Sequence, residues 1–79
     1  MLVCEAVSKK ILDICDERDI SVNKLANISC LTQSTLENIV NCKSKNPKIL
    51  TIVRLCEGLD MNLEEFFSDE VFYNIDRED

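Results

Sequence analysis

Two short amphipathic segments joined by a turn of about three residues restrict this chain more than any other feature. The first runs from Ser21 to Ile28 with Leu25 and Ala26 as its inward residues, and the second from Gln33 to Val40 with Leu36 and Ile39. Ser21 and Thr32 stand where a side-chain oxygen can accept from the open N–H groups of a first turn, so each segment has a marked start. Ser29-Cys30-Leu31 turns the chain between them. Two short helices on so short a connection have few geometries open to them, and a helix-turn-helix is the commonest.

The flanking sequence is helical as well. Val3, Val7, Ile11 and Ile14 recur at helical spacing, with Leu12 and Cys15 broadening the stripe, which predicts a first helix running to about Arg18. Asn41 to Asn46 is a polar, basic loop. Asn46 then reads as an N-cap and Pro47 as the first residue of a fourth helix, a position where the missing N–H of proline has no consequence. Ile49, Ile52, Leu55, Cys56 and Leu59 form its expected buried stripe, with Gly58 near its end. Asn62-Leu-Glu-Glu65 is a capping box for a short fifth helix, from which Leu63, Phe66 and Phe67 close the core.

With 79 residues there is room for one domain, and 46% hydrophobic residues let it bury a core without a metal or disulfide framework. One Gly and one Pro are too few for the turns of an all-β chain. The expected architecture is therefore all-α, a five-helix domain over residues 1–67 followed by an acidic tail over 68–79. Cysteines 4, 15, 30, 42 and 56 include no C-x-x-C pair, and the chain has no His, so neither a zinc site nor a cofactor is expected. Cys4, Cys15 and Cys56 fall among apolar residues, where a free thiol acts as a small hydrophobe; an unpaired odd set suits a reducing compartment. The apolar start at Leu2–Cys4 is too short for a signal peptide or a membrane span, so a cytoplasmic location is expected. An enzyme is disfavoured by the lack of His, of a nucleophile–base pair and of a glycine-rich phosphate loop. No small-molecule pocket is evident.

The net charge of −6 conceals an uneven distribution. Charges cancel over residues 1–60, and residues 61–79 carry the whole −6. Between residues 20 and 54 stand Lys24, Lys43, Lys45, Lys48 and Arg54 against Glu37 alone, a local +4. Gln33, Ser34, Glu37 and Asn38 share the outward side of the third helix, with Thr35 near its edge. Gln and Asn can pair bidentately with adenine edges in the major groove, and Ser can bond to several bases. An ordinary solvated helix face has the same composition, and periodicity does not choose between the two.

Five pieces in register carry a resemblance: Asn23-Lys-Leu-Ala26, Leu31-Thr-Gln-Ser-Thr-Leu36, Asn41-Cys-Lys-Ser-Lys-Asn-Pro47, Leu55-Cys-Glu-Gly-Leu59 and Asn62-Leu-Glu-Glu-Phe-Phe67. Together, from Ser21 to Phe67, the chain resembles the Cro/phage-repressor (Xre-type) helix-turn-helix family. The resemblance implies a five-helix, lambda-repressor-like domain whose third helix lies in the major groove of double-stranded DNA, and a transcriptional regulator, a repressor in the first instance. It casts Gln33, Ser34 and Asn38 as base readers, Thr32, Thr35 and Glu37 as supporting residues, and Lys43 and Lys45 as phosphate clamps. Glu37 would either accept from a cytosine amino group or repel wrong sequences. The family works as symmetric dimers on half-sites about 34 Å apart. Phe72, Tyr73 and Ile75 in the tail would supply the homodimer contact, the alternative being a tail that folds back on helix one or stays disordered.

Three positions depart from the family pattern. Val22 replaces a Gln that often opens helix two and touches a phosphate. Cys30 and Cys42 stand where the family places Gly, at turns where φ > 0 is common. A thiol switch at these two is one reading of them. The rival to a DNA-binding regulator is a protein-interaction module that has kept the fold and lost DNA: the acidic total and Val22 favour it, and the +4 middle opposes it.

Overall fold

The computed structural model describes residues 1–77. It comprises α1 (Val3–Arg18), α2 (Val22–Ile28), α3 (Gln33–Val40), α4 (Ile49–Leu59) and α5 (Leu63–Phe67), then a 3-10 turn at Glu70–Phe72; there is no strand among the described residues. The expected all-α, five-helix architecture is the one observed. Helix α1 is the platform against which α3 and the 3-10 turn pack; α2 bridges α3 and α4, and α5 closes on α4. At seven and eight residues, α2 and α3 are too short to persist alone. They are held by the shared core, in which Ile11, Leu25, Leu36, Ile52, Leu55, Leu59 and Phe66 are fully buried.

The starts of the helices follow local chemistry where a cap is present. Ser21 Oγ accepts from Lys24 N at 3.0 Å and Thr32 Oγ1 from Thr35 N at 3.2 Å. The Asn62–Glu65 box is complete, with reciprocal bonds of 2.8 and 3.1 Å. Two helix ends are tied by side chains from α1, which satisfy carbonyls that no longer have an intrahelical donor. The Ser8 hydroxyl donates to Val40 O at 2.6 Å, and the Arg18 guanidinium to Leu59 O at 2.7 Å.

Helix α4 corrects the sequence reading. It begins at Ile49 rather than Pro47, and Lys48 occupies the N-cap position without a side-chain bond. Asn46 and Pro47 belong to the loop. Ile49 is 62% exposed and Leu50 58%, so the core begins one turn in, at Ile52. Burial of Ile52, Leu55, Cys56 and Leu59 sets where the helix runs, and the local Asn-Pro signal is overridden. On α1 the buried face takes in Cys4, Ala6 and Ser8, while Leu12 is left exposed and Val3 half-buried. On α5 only Phe66 is fully buried. Phe67 and Leu63 are partly exposed; Phe67 packs edge-on against Phe66 and against Phe72, with ring centroids 5.0 Å apart in both pairs.

Among the described residues four adopt the left-handed conformation, none of them Gly: Asp19, Cys30, Cys42 and Asp60, with φ of 54–56°. The two aspartates end α1 and α4, where a short polar side chain tolerates this region better than most. The one glycine is used for close packing instead. A Cβ on Gly58 would lie 2.9 Å from Ile28 O and 2.5 Å from Ser29 Oγ, so a side chain there would push α4 off the end of α2.

The described part of the tail folds back on α1, the alternative noted above. Asp69 accepts from Val71 N at 3.0 Å and from Lys10 Nζ at 3.2 Å. Phe72 packs onto the core, and Asp76 pairs with the Met1 ammonium at 2.8 Å while its N–H donates to Met1 O at 2.9 Å. Tyr73 is 72% exposed and Ile75 is partly so. Residues 78 and 79 of the expected tail lie outside the described residues.

Candidate nucleic-acid interface

The turn between α2 and α3 is set by backbone hydrogen bonds and one left-handed residue. Ser29 N donates to both Leu25 O and Ala26 O, Leu31 N donates to Ala26 O at 2.9 Å, and Cys30 takes φ 56° between them. This closes α2 in a tight cap and sends α3 off at once, with Leu25 and Leu36 holding the pair to the core. The outward face of α3 then follows from its buried one. Leu36 and Ile39 point inward, so Gln33, Ser34, Glu37 and Asn38 stand in solvent and Thr35 is half-buried at the edge. These are the positions expected from periodicity.

The structure adds how these side chains are joined. Gln33 Nε2 donates to Glu37 Oε1 at 2.8 Å across one helical turn. That bond occupies one amide hydrogen and leaves the Gln33 carbonyl oxygen and second hydrogen available. The Thr32 hydroxyl lies 2.8 Å from that of Thr35 and 3.4 Å from that of Ser34. Five of the six helix-borne candidates therefore form two small polar groups. Asn38 stands apart from both. Its backbone carbonyl accepts from Lys43 N at 2.9 Å and Ser44 N at 3.4 Å, which turns the following loop back beside α3.

Lys43 and Lys45 are exposed on that loop, and their ammonium groups bond to none of the readers. Between α3 and α4 lies a cleft of about 450 Å³ lined by Thr32, Thr35, Asn38, Lys48, Thr51 and Arg54, among others. Lys48 and Arg54 are two cations that the sequence reading counted in the local +4 without giving them a role; helical spacing from Leu50 to Arg54 was the available signal. Lys43, Lys45, Lys48 and Arg54 have no ion-pair partner among the described residues, whereas two acidic groups of the tail are paired, Asp69 with Lys10 on α1 and Asp76 with the Met1 ammonium. Four cations around α3 are thus left without an ion pair, with Glu37 as the one acidic residue on the helix itself. Val22 is half-buried and packs against the core, so the first residue of α2 offers no polar contact to a ligand.

No helix among the described residues is long and apolar enough to cross a membrane. No curated protein and no solved structure matches the chain. A family model described as a Cro/C1-type HTH DNA-binding domain matches residues 10–71. That span takes in most of α1, the whole of α2 to α5 and the 3-10 turn as far as Val71. A capped bihelical unit with an outward polar face, flanked by unpaired cations and matched over most of its length, belongs to the Cro/C1-type helix-turn-helix DNA-binding domain family.

Proposed function

We propose that the protein is a sequence-specific, double-stranded DNA-binding repressor that lays α3 in the major groove. The observation that carries this reading is the outward row Gln33, Ser34, Glu37 and Asn38, bordered by cations without ion-pair partners. Gln33, Ser34 and Asn38 read base edges; Thr32 and Thr35 keep the start of α3 in order beside the backbone; Glu37 orients the Gln33 amide. Lys43 and Lys45 neutralise phosphates, and Lys48 and Arg54 extend the same positive border along the cleft. Phosphate contacts supply affinity and register, and base contacts supply sequence preference. Repression needs only that the site be occupied, which this domain achieves without catalysis. The unpaired thiols and a DNA ligand both suit the cytoplasm.

The working form is a homodimer on two half-sites, because one small domain reads too few base pairs to bind tightly. Phe72 is committed to its own core, which leaves Tyr73 and Ile75 as the tail's contribution to such a contact.

The test is the salt dependence of binding to duplex DNA. Log affinity falls linearly with log salt, with a slope of about −0.9 per neutralised phosphate. Absence of binding at low salt would remove the regulator reading and favour the protein-interaction module, for which Val22 in place of a polar contact is the specific support.

A further inference from the structure

The cleft between α3 and α4 combines cations with apolar walls. Leu31 and Ile39 line it from the side of α3, and Pro47 and Leu50 from the side of α4. Leu50 is 58% exposed, so it lies in the cleft without serving the core. Lys48 and Arg54 line the same space, exposed and without ion-pair partners among the described residues. At about 450 Å³ the cleft falls within the size range of small-ligand sites, which join apolar walls to a few polar groups. A duplex backbone spans the mouth of such a cleft and leaves its apolar walls bare.

We propose that this cleft binds a nucleoside monophosphate, which regulates the protein by competing with DNA for α3. The two unpaired cations match the charge of a phosphate monoester, close to −2 near neutral pH because its second pKa is about 6. Leu31, Pro47 and Leu50 offer apolar surface to the faces of a flat ring. Thr35, Asn38 and Thr51 supply hydroxyl and amide groups for the polar edge of that ring and for a sugar. Inorganic phosphate would leave the walls unused, and an uncharged nucleoside would leave the cations unused.

The competition rests on the DNA reading of α3, whereas the binding site does not. Asn38 lines the cleft and also stands in the outward polar row of α3. A ligand bonded to Asn38 takes the amide that the proposed base contact needs. Its phosphate neutralises two of the cations that border α3. Occupancy therefore lowers duplex affinity in two ways, one through base readout and one through backbone electrostatics. Bound DNA expels the nucleotide by the same factor, since the coupling is reciprocal.

NMR titration of the isotope-labelled full chain with adenosine, guanosine, cytidine and uridine monophosphates tests the site without DNA. At least one is expected to bind with a Kd of about 1 mM or tighter and to shift the amides of Leu50 and Thr51. Inorganic phosphate and the matching nucleoside should each bind about tenfold more weakly. Leu50→Ser, at an exposed position, should weaken the nucleotide about fivefold and leave inorganic phosphate unchanged. Competition is read separately, as loss of bound duplex when the nucleotide is added at fixed ionic strength. The proposal is overturned if no monophosphate binds, if inorganic phosphate binds as tightly, or if the shifts gather away from the cleft. Duplex that stays bound at saturating nucleotide would overturn the competition. A chain that binds no duplex at all would remove the regulator reading and the competition together, while the titration still decides the site.

Discussion

Gln33 and Glu37 form one unit on the face of α3, the amide of the first donating to the carboxylate of the second at 2.8 Å. The bond fixes the plane of the Gln33 amide before any ligand arrives, so the side chain loses less freedom on contact with a base edge. Gln33→Ala is expected to flatten the preference at one base pair of each half-site, by about 1–3 kcal/mol of discrimination, and Asn38→Ala at another. Glu37→Ala should broaden the Gln33 position without erasing it. Selection of bound sites from random duplexes measures all three; an unchanged site for Gln33→Ala would place the reading face elsewhere.

Cations on the loop and along the cleft should behave differently from the readers. Lys43→Ala and Arg54→Ala are expected to weaken all sequences alike and to reduce the log–log salt slope by about 0.9 each. Titration of specific and random duplexes over a range of salt separates this from a change in preference.

Left-handed φ at Cys30 and Cys42 places a Cβ where Gly is the easier residue. Cys30→Gly and Cys42→Gly should each stabilise the fold by about 1 kcal/mol, roughly 4–8 °C in Tm for a domain of this size. Cys30 gives the cleaner measurement because it is exposed, whereas Cys42 is half-buried. Thermal melts in reductant decide it, and a lower Tm for Cys30→Gly would mean that the turn is not strained.

Gly58→Ala should have the opposite sign. A glycine inside a helix is ordinarily worth replacing, since alanine is favoured there by about 1 kcal/mol. Here the new methyl would meet Ile28 O at 2.9 Å and Ser29 Oγ at 2.5 Å, so α4 must move away from α2. Destabilisation of about 1–3 kcal/mol is expected in urea unfolding.

Asp69 gives the tail a pH dependence. The Val71 N–H and the Lys10 ammonium hold its carboxyl below the ordinary carboxylate value. A folded-state value below the unfolded one means that the stabilisation is present above about pH 4 and is lost as pH falls through the depressed folded value. The Tm gap between the parent chain and Asp69→Asn should be widest near neutrality and close in acid. A gap independent of pH would show that the Lys10 contact does not hold the tail.

Much of this fold is legible in the sequence because it is written in local chemistry. Ser21, Thr32 and the Asn62–Glu65 box mark helix starts through side-chain oxygens that need only their own first turn, and each is used as expected. The alternation of Leu36 and Ile39 with Gln33, Ser34, Glu37 and Asn38 fixes which side of α3 is dry, and hence which polar residues face outward. The left-handed positions of Cys30 and Cys42 are visible through the family resemblance, which places Gly at both turns, and each takes φ 56°.

Contacts between distant segments are decided only by the tertiary structure. Asn46-Pro47 is a sound local start signal, yet α4 begins at Ile49 because the core, not the cap, places Ile52. The tail carries Phe72 onto Phe66 and Phe67 and pairs Asp69 with Lys10, 59 residues away, which no local pattern encodes. The same holds for Lys48 and Arg54, which line one cleft with Thr35 and Asn38. Periodicity reports which side of an element is buried, whereas the partner it is buried against depends on how all the elements pack at once.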